Sequence, residues 1–257
     1  MNPPLPSDSA KTPHVAILCG GLGTRLRAAV ADRPKALASV AGRPFLVWLL
    51  DLLDLHGFSR VVLCTGFQAE KIEAEFGASH KGLQLRYSAE PTLLGTGGAL
   101  RHALPQLESE NILVVNGDSY CSADLGLFCR DHVDSRAAAS MLISQVADSR
   151  RYGLVKLNSA GLITAFQEKA ASTGPGWINA GIYLANRALL RGIPPGQACS
   201  LEREIFPAWI KLGLRGVKSD CPFVDIGTPD SYAGANRMFH SLIPQTQLQP
   251  LTIGDTP

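Results

Sequence analysis

Residues 14–37 read HVAILCGGLGTRLRAAVADRPKAL, in which an apolar run passes directly into a glycine-rich segment. The aliphatic residues predict a strand over His14–Cys19. Glycine lacks a Cβ and tolerates positive φ, so a glycine-rich turn after a strand brings main-chain N–H groups close to an anion. Arg25 lies within this turn and Lys35 follows it. The stretch therefore predicts an α/β fold that binds phosphate just beyond its first strand.

Strand-like and helix-like segments alternate along the chain as far as Asn116. Further strands are predicted at Arg60–Thr65, Leu83–Ser88 and Asn111–Asn116, and helices at Phe45–His56, Ala69–Phe76 and Thr96–Leu104. This alternation is typical of a mostly parallel sheet with helices on both faces, as in Rossmann-like folds.

The second half of the chain has the spacing of hairpins. Strands are predicted at Ala138–Val146, Gly153–Leu157, Ile163–Glu168, Trp177–Ala185 and Leu214–Lys218, and helices at Cys199–Leu212 and Thr228–Phe239. We therefore expect antiparallel strands to join the parallel ones in a mixed sheet.

Length and composition fit a globular protein with one large domain. The chain has 257 residues, of which 46% are hydrophobic, and this suffices for a sizeable core. We expect a single domain over residues 14–240. The proline-rich leader over residues 1–13 is predicted to be disordered, and the tail over residues 241–257 to lack regular structure.

Charge and cysteine usage exclude several classes of function. The 24 basic and 22 acidic residues give a formal net charge of +2, with no block of like charges, so we expect neither a nucleic acid nor a membrane as partner. The six cysteines form no CxxC pair, which indicates reduced thiols. The N-terminal MNPPLPSDSAKTP lacks the apolar segment of a signal peptide, and we expect a cytoplasmic protein.

Two familiar phosphate-binding motifs do not fit the glycine-rich segment GGLGTRL. The dinucleotide motif GxGxxG requires glycine where Leu26 stands, and the P-loop requires Gly-Lys-Ser/Thr after its spacer. What remains is a nest of main-chain donors with two cations, Arg25 and Lys35, which suits a triphosphate.

GGLGTRL followed by RPKAL resembles the signature of the sugar-1-phosphate nucleotidyltransferases, and the resemblance extends over about residues 14–240. It implies a nucleotide-diphospho-sugar transferase fold of the GT-A-like kind, with a nucleotide-binding part over about residues 14–120 and a sugar-binding part over about 121–240. It implies that Arg25, Lys35 and Asp118 are catalytic. The implied nucleotide-binding residues are Cys19, Gly20, Gly21, Gly23, Thr24, Arg25, Lys35, Glu90, Gly95, Thr96 and Asn116.

Two carboxylates follow apolar strands at distant points of the chain. Asp118 ends the run ILVVNGD, where open α/β sheets bind ligands, and one or two carboxylates with phosphate oxygens suit Mg²⁺. Asp225, in FVDIGTPD, resembles the family's second metal-binding aspartate. The resemblance thus implies Mg²⁺ as cofactor, held by Asp118 and Asp225.

The resemblance also places the sugar phosphate. Its implied ligands are Gly153, Glu168, Lys169 and Asn179. Taken without the resemblance, the Glu168–Lys169 pair is more typical of exposed charges than of a binding site.

The resemblance implies transfer of a nucleotidyl group from an NTP to a sugar 1-phosphate, with release of pyrophosphate. It is strongest to the guanylyltransferases, with GTP and D-glycero-α-D-manno-heptose 1-phosphate as substrates. The alternatives are mannose 1-phosphate, a uridylyl- or thymidylyltransferase, a catalytically idle nucleotide-sugar-binding regulatory protein and a CMP-sugar synthetase. A homodimer is a further expectation.

Overall fold

The fold is described from a computed structural model of the chain. It describes residues 12–26, 29–30, 32–167 and 174–242, with the side chain of Leu242 excepted. The predicted leader over residues 1–13 and tail over 241–257 lie almost wholly outside the described residues.

The described residues form a ten-stranded mixed sheet and two small two-stranded ribbons. The strands are β1 (His14–Leu18), β2 (Ser39–Val40), β3 (Arg43–Pro44), β4 (Arg60–Thr65), β5 (Ser79–His80), β6 (Leu83–Ala89), β7 (Asn111–Asn116), β8 (Ser119–Cys121), β9 (Ala139–Val146), β10 (Leu154–Leu157), β11 (Ile163–Gln167), β12 (Gly176–Asn186), β13 (Arg215–Ser219) and β14 (Phe223–Asp225). The large sheet has the order β11-β10-β12-β7-β1-β4-β6-β5, and β9 joins β12 to β13.

Helices connect and cover these strands. They are α1 (Phe45–Leu55), α2 (Ala69–Phe76), α3 (Gly95–Ala103), α4 (Leu125–Ser135), α5 (Arg187–Arg191), α6 (Phe206–Ile210) and α7 (Pro229–Leu242). Short helical turns occupy Lys35–Leu37, Leu104–Gln106 and Leu201–Ile205, the last of them π-helical.

The sheet has a parallel centre, and its order creates a crevice. Strands β6, β4, β1 and β7 are parallel neighbours, whereas β12 runs antiparallel to β7. The chain leaves β1 towards β4 on one side and leaves β7 towards the antiparallel strands on the other. Connections that diverge from neighbouring parallel strands open a ligand crevice at the carboxyl ends of those strands.

Side chains along β1 alternate between two hydrophobic cores, as the period of a strand requires. Val15 and Ile17 belong to the core under α1, α2, α4 and α7. Ala16 belongs to the core under α3, α5 and α6. All three side chains are fully buried. The buried sheet therefore holds the ends of β1 and β7 in a fixed position, and the predicted α/β fold with helices on both faces is confirmed.

The segment predicted as a helix over Cys199–Leu212 is helical from Leu201 to Ile210 and is therefore two residues shorter at each end. Its first part, Leu201–Ile205, is a π-helical turn that passes directly into α6. Pro207, which has no N–H to donate, lies in the first turn of α6, just after this change of helix type. Helix α4 and the ribbon of β8 with β14 are additions to the predicted elements, and α7 continues to Leu242, past the predicted start of the tail.

Candidate active site

A cavity of about 580 Å³ lies at the carboxyl ends of β1 and β7. Every predicted site residue that the structure describes lines it. On the expected nucleotide side these are Cys19, Gly20, Gly21, Gly23, Thr24, Arg25, Lys35, Glu90, Gly95, Thr96 and Asn116. The others are Asp118, Gly153, Asn179 and Asp225. Glu168 and Lys169 lie outside the described residues.

The glycine loop leaves its main-chain donors available. Among the described residues, none accepts a hydrogen bond from the main-chain N–H groups of residues 20–25. Gly23 has a φ of 61°, a conformation that glycine adopts without strain. The guanidinium of Arg25 is exposed to solvent and lines the cavity. The loop therefore offers N–H groups and a cation to an anionic ligand.

Two glycines at the site serve different purposes. A Cβ on Gly117 would lie 2.8 Å from the carbonyl oxygen of Leu18, whereas a Cβ on Gly21 would meet nothing within 4 Å. Gly117 also donates its N–H to Leu18 O at 2.9 Å. Gly117 thus permits the close approach of the chain after β7 to the end of β1, and Gly21 keeps a space open at the cavity wall.

Lys35 connects the glycine-loop segment to the first predicted metal ligand. Its Nζ donates a short hydrogen bond to Asp118 Oδ2, and the lysine side chain is only 16% exposed. Burial raises the pKa of the Asp118 carboxyl, but the Lys35 ammonium, the hydrogen bonds from Lys35 and Ser119 and the charge of Arg25 outweigh that effect and lower it overall. Asp118 is therefore ionised at neutral pH.

Asp225 is held rigidly beside Asp118. In the β8–β14 ribbon Asp225 lies opposite Ser119, and Ile226 N donates to Asp118 O at 2.9 Å. The Asp225 carboxylate accepts hydrogen bonds from Tyr152 Oη at 2.8 Å, Gly227 N at 2.7 Å, Ser231 Oγ at 2.9 Å and Arg151 Nη2 at 3.2 and 3.3 Å. The ribbon and these donors fix the second carboxylate at the same cavity.

The two carboxylates fit a Mg²⁺ site that shares its ligands with a substrate. Within the described ranges, no three side chains of His, Cys, Asp or Glu cluster as a protein-only metal site would require. Mg²⁺ is usually bound through one or two carboxylates, with substrate phosphates and water completing the octahedron. Asp118 and Asp225 supply that donor set at the wall of a cavity that also carries phosphate-binding groups.

A chain of polar groups connects the two halves of the cavity. Asn179 Nδ2 donates to the buried Tyr183 Oη at 2.7 Å, and Asn116 Nδ2 reaches the same oxygen at 3.4 Å. Asn179 N donates to Gly153 O at 3.0 Å. A Cβ on Gly153 would lie 2.5 Å from Phe166 Cζ, so a side chain there would displace that ring. The predicted sugar-side residues Gly153 and Asn179 are therefore in contact and next to Asn116.

Two glutamates that line the cavity, Glu90 and Glu202, each have one carboxylate oxygen in hydrogen bonds. Glu90 Oε2 accepts from Leu94 N at 2.8 Å, and burial raises the pKa of Glu90 despite that bond. Glu202 Oε2 accepts from Thr96 Oγ1 and from Ser200 Oγ, both at 2.8 Å. The hydroxyl of Thr96 is therefore occupied by Glu202, and the remaining carboxylate oxygen of each glutamate has no hydrogen-bond donor among the described residues.

Two charged residues of the cavity, Arg151 and Glu202, belong to none of the motifs that the sequence shows. Arg151 lines the cavity, whereas its neighbour Arg150 pairs with Asp148 at the surface. Glu202 lies in SLEREIF, which resembles any amphipathic helix with charges on its solvent face. The sequence carries no local signal that separates either residue from an ordinary surface charge.

The sequence predicts that the cysteines are reduced thiols. The six cysteines are free, and burial raises the pKa of the Cys19 thiol to about 12, so this cavity-lining thiol is neutral at pH 7.

Of the helices that the structure describes, none has both the length and the apolar character needed to cross a bilayer.

Comparison with known proteins assigns the family. Residues 14–241 match the family model described as Nucleotidyl transferase. This chain belongs to the nucleotidyl transferases. The resemblance of GGLGTRL and RPKAL to that family is thereby confirmed.

Named relatives within the nucleotidyl transferases cover most of the chain. It is 35% identical to D-glycero-alpha-D-manno-heptose 1-phosphate guanylyltransferase of Aneurinibacillus thermoaerophilus, over 86% of this chain and 96% of that protein. It is 34% identical to mannose-1-phosphate guanylyltransferase of Mycobacterium tuberculosis, over 91% of this chain and 66% of that protein. A crystal structure of HddC from Yersinia pseudotuberculosis complexed with GMP-PN has a TM-score of 0.78 and 29% identity, covering 89% of this chain and all of that one.

We predict that Gly117→Ala lowers the stability of the protein, whereas Gly21→Ala lowers its affinity for a nucleoside triphosphate. Gly117→Ala forces β1 and β7 apart and should destabilise the protein by about 1–3 kcal/mol, as overpacking does. Gly21→Ala has room for its methyl group, so its melting temperature should match that of the wild type, while its affinity for a nucleoside triphosphate falls. Thermal unfolding and calorimetric titration measure the two effects. A Gly21→Ala protein that binds the triphosphate normally would contradict the role of the loop.

Proposed function

We propose that this nucleotidyl transferase moves a guanylyl group from GTP to D-glycero-α-D-manno-heptose 1-phosphate, giving the GDP-sugar and pyrophosphate. The observation that carries this proposal is the convergence of the glycine loop, Lys35 and two carboxylates in one cavity. Guanylyltransferases among the relatives and the GMP-PN complex of HddC support the choice of base. Mannose 1-phosphate is the alternative acceptor, since a mannose-1-phosphate guanylyltransferase is nearly as similar.

The reaction needs no nucleophile from the protein. A phosphate oxygen of the sugar 1-phosphate is already ionised at neutral pH and attacks the α-phosphorus of GTP in line, and pyrophosphate leaves with the electron pair of the broken P–O bond. The protein contributes by holding the two anions in position and by stabilising negative charge as it shifts to the leaving oxygens. The neutral Cys19 thiol is consistent with a role in packing.

The glycine loop and the two cations bind the triphosphate in this proposal. Main-chain N–H groups of residues 20–25 face phosphate oxygens, which a side chain would keep at a distance. Arg25 contributes a planar guanidinium that suits bidentate phosphate contacts, and Lys35 contributes a compact ammonium. Both cations lie close enough to Asp118 to affect the pKa of its carboxyl.

Asp118 and Asp225 hold Mg²⁺ in this proposal. When bound, the ion supplies positive charge against phosphate oxygens of the two substrates. The bonds from Tyr152 Oη, Gly227 N and Ser231 Oγ orient the Asp225 carboxylate. Burial and the neighbouring carboxylate raise the pKa of Tyr152, so its hydroxyl keeps the proton that it donates.

Glu90 is the residue that we assign to the guanine base. Guanine presents two N–H donors side by side at N1 and N2, whereas uracil and thymine present one N–H between two carbonyls. A carboxylate accepts both guanine donors at once. Glu90 lines the cavity, and in this proposal Oε1 accepts one guanine N–H while Oε2, which already accepts from Leu94 N, accepts the other with its second lone pair.

The acceptor sugar lies against Gly153 and Asn179 in this proposal. These residues line the cavity next to Asp225 and Asn116. Glu168 and Lys169 follow the end of β11 in sequence, and their predicted roles as ligands of the sugar and its phosphate are part of the proposal. The predicted homodimer stays a prediction.

Substrate identity is tested by pyrophosphate release. The protein is incubated with GTP, ATP, UTP, CTP or dTTP against heptose, mannose, glucose or N-acetylglucosamine 1-phosphate, and GTP with the manno-configured heptose should be best. Glu90→Gln should reduce the preference for GTP over UTP, because the carboxylate that accepts both guanine donors is replaced by an amide with one acceptor oxygen. A preference of the wild type for dTTP with glucose 1-phosphate would retain the reaction class and overturn the assigned substrates.

The two cations should be required for turnover. We expect Arg25→Ala and Lys35→Ala each to lower kcat by about 100-fold, in line with the loss of one charge-stabilising donor. Arg33→Ala is the matched control, because Arg33 is half-exposed and pairs with Asp32, and its kcat should stay close to that of the wild type. Normal turnover of correctly folded Arg25→Ala or Lys35→Ala protein removes that residue from the mechanism.

The two carboxylates should be required for metal dependence. Asp118→Asn and Asp225→Asn each remove an ionic ligand, so each should abolish most activity and raise the Mg²⁺ concentration needed for the remainder. EDTA should stop the wild-type reaction. Asp124→Asn is a control that alters another carboxylate, the N-cap of α4. Full wild-type activity in EDTA would show that the metal assignment is wrong.

A further inference from the structure

Arg151 binds a proposed metal ligand directly. Its Nη2 lies 3.3 Å from Asp225 Oδ1 and 3.2 Å from Asp225 Oδ2. The Asp225 side chain is 11% exposed, whereas that of Arg151 is 42% exposed. The guanidinium is therefore the more exposed partner of this pair, and both residues line the cavity.

The same arrangement occurs at the other proposed metal ligand. Lys35 pairs with Asp118 as Arg151 pairs with Asp225. Both cations line the cavity together with both carboxylates. Each of these two pairs sets one positive charge against one negative charge before any ligand binds, which lowers the cost of holding these four charges in a partly buried site.

We propose that Arg151 is an exchangeable counterion, which leaves Asp225 when a divalent cation binds and then pairs with a phosphate oxygen of the bound substrates. The inference rests on the proposed function for its metal site and its phosphates. A divalent ion alone must compete with the guanidinium for the carboxylate. A nucleotide supplies new anionic partners for Arg151, so metal and nucleotide favour each other's binding, and this coupling is reciprocal.

The surroundings of Arg151 allow this exchange. Arg151 lies between β9 and β10, outside both strands. Besides Asp225, its guanidinium lies over the ring of Tyr152, whose centroid is 5.5 Å away, and its charge helps to lower the pKa of the Asp148 carboxyl. The bonds from Gly227 N, Ser231 Oγ and Tyr152 Oη to Asp225 do not involve Arg151. The carboxylate therefore stays oriented after the guanidinium leaves.

Direct Mn²⁺ titration of the full chain, followed by electron paramagnetic resonance without nucleotide, tests the proposal. Arg151→Gln and Arg151→Ala remove the competing charge and should bind Mn²⁺ about tenfold more tightly than the wild type, a coupling within the usual range. Arg151→Lys keeps the charge and should resemble the wild type. Arg150→Gln is the matched control, because Arg150 pairs with Asp148, and its Mn²⁺ affinity should be unchanged.

If Arg151 only supports the structure of the site, its replacement should not tighten Mn²⁺ binding. Loss of a residue that only supports the site would leave Mn²⁺ affinity unchanged or weaken it, and either outcome in folded Arg151→Gln and Arg151→Ala proteins overturns the proposal. Thermal unfolding establishes that the variants are folded. The pyrophosphate assay is independent: active wild-type protein with unchanged Mn²⁺ affinity in the variants rejects only the counterion role. Tighter Mn²⁺ binding in the variants, with no pyrophosphate from any substrate pair, supports counterion competition and rejects the proposed reaction.

Discussion

The parallel pairing of β1 with β7 is the constraint on which the rest of the site depends. The N–H of Gly117 donates to Leu18 O at 2.9 Å, so the glycine loop and Asp118 leave the sheet side by side. A side chain at Gly117 would meet that carbonyl oxygen. The main chain therefore brings phosphate-binding donors and a carboxylate to one cavity, and the contact of Lys35 with Asp118 builds on that geometry.

Charge balance decides what such a cavity can hold. Four of the ionic side chains that line this partly buried space form two pairs, Lys35 with Asp118 and Arg151 with Asp225, which makes their charges tolerable there. A triphosphate entering alone would meet the two carboxylates, and a divalent ion entering alone would meet the two cations. If the two ligands enter together, the divalent ion can pair with the carboxylates and the triphosphate can pair with the cations. The arrangement thus favours a ligand that carries both signs of charge.

Much of the fold is predictable from sequence because burial imposes a period on the side chains. Strand β4 coincides with the predicted Arg60–Thr65, and α1 differs from its prediction by one residue. The predicted helix over residues 199–212 is helical over Leu201–Ile210, but its first part is π-helical. Spacing reports which face is buried, whereas the type of helix depends on main-chain hydrogen bonding, which Pro207 limits because it has no N–H.

The candidate site is predictable where its residues belong to a local motif, as Arg25 and Lys35 do, but the contacts of Arg151 and Glu202 are not local. Arg151 contacts Asp225, 74 residues away, and Glu202 contacts Thr96, 106 residues away. Adjacent arginines at 150 and 151 look alike in sequence, yet one pairs with Asp148 at the surface and the other reaches the cavity. The pairing of β14 with β8 creates that difference, because it places the Asp225 carboxylate where only the second guanidinium reaches it. The charge that completes the site is therefore selected by tertiary structure.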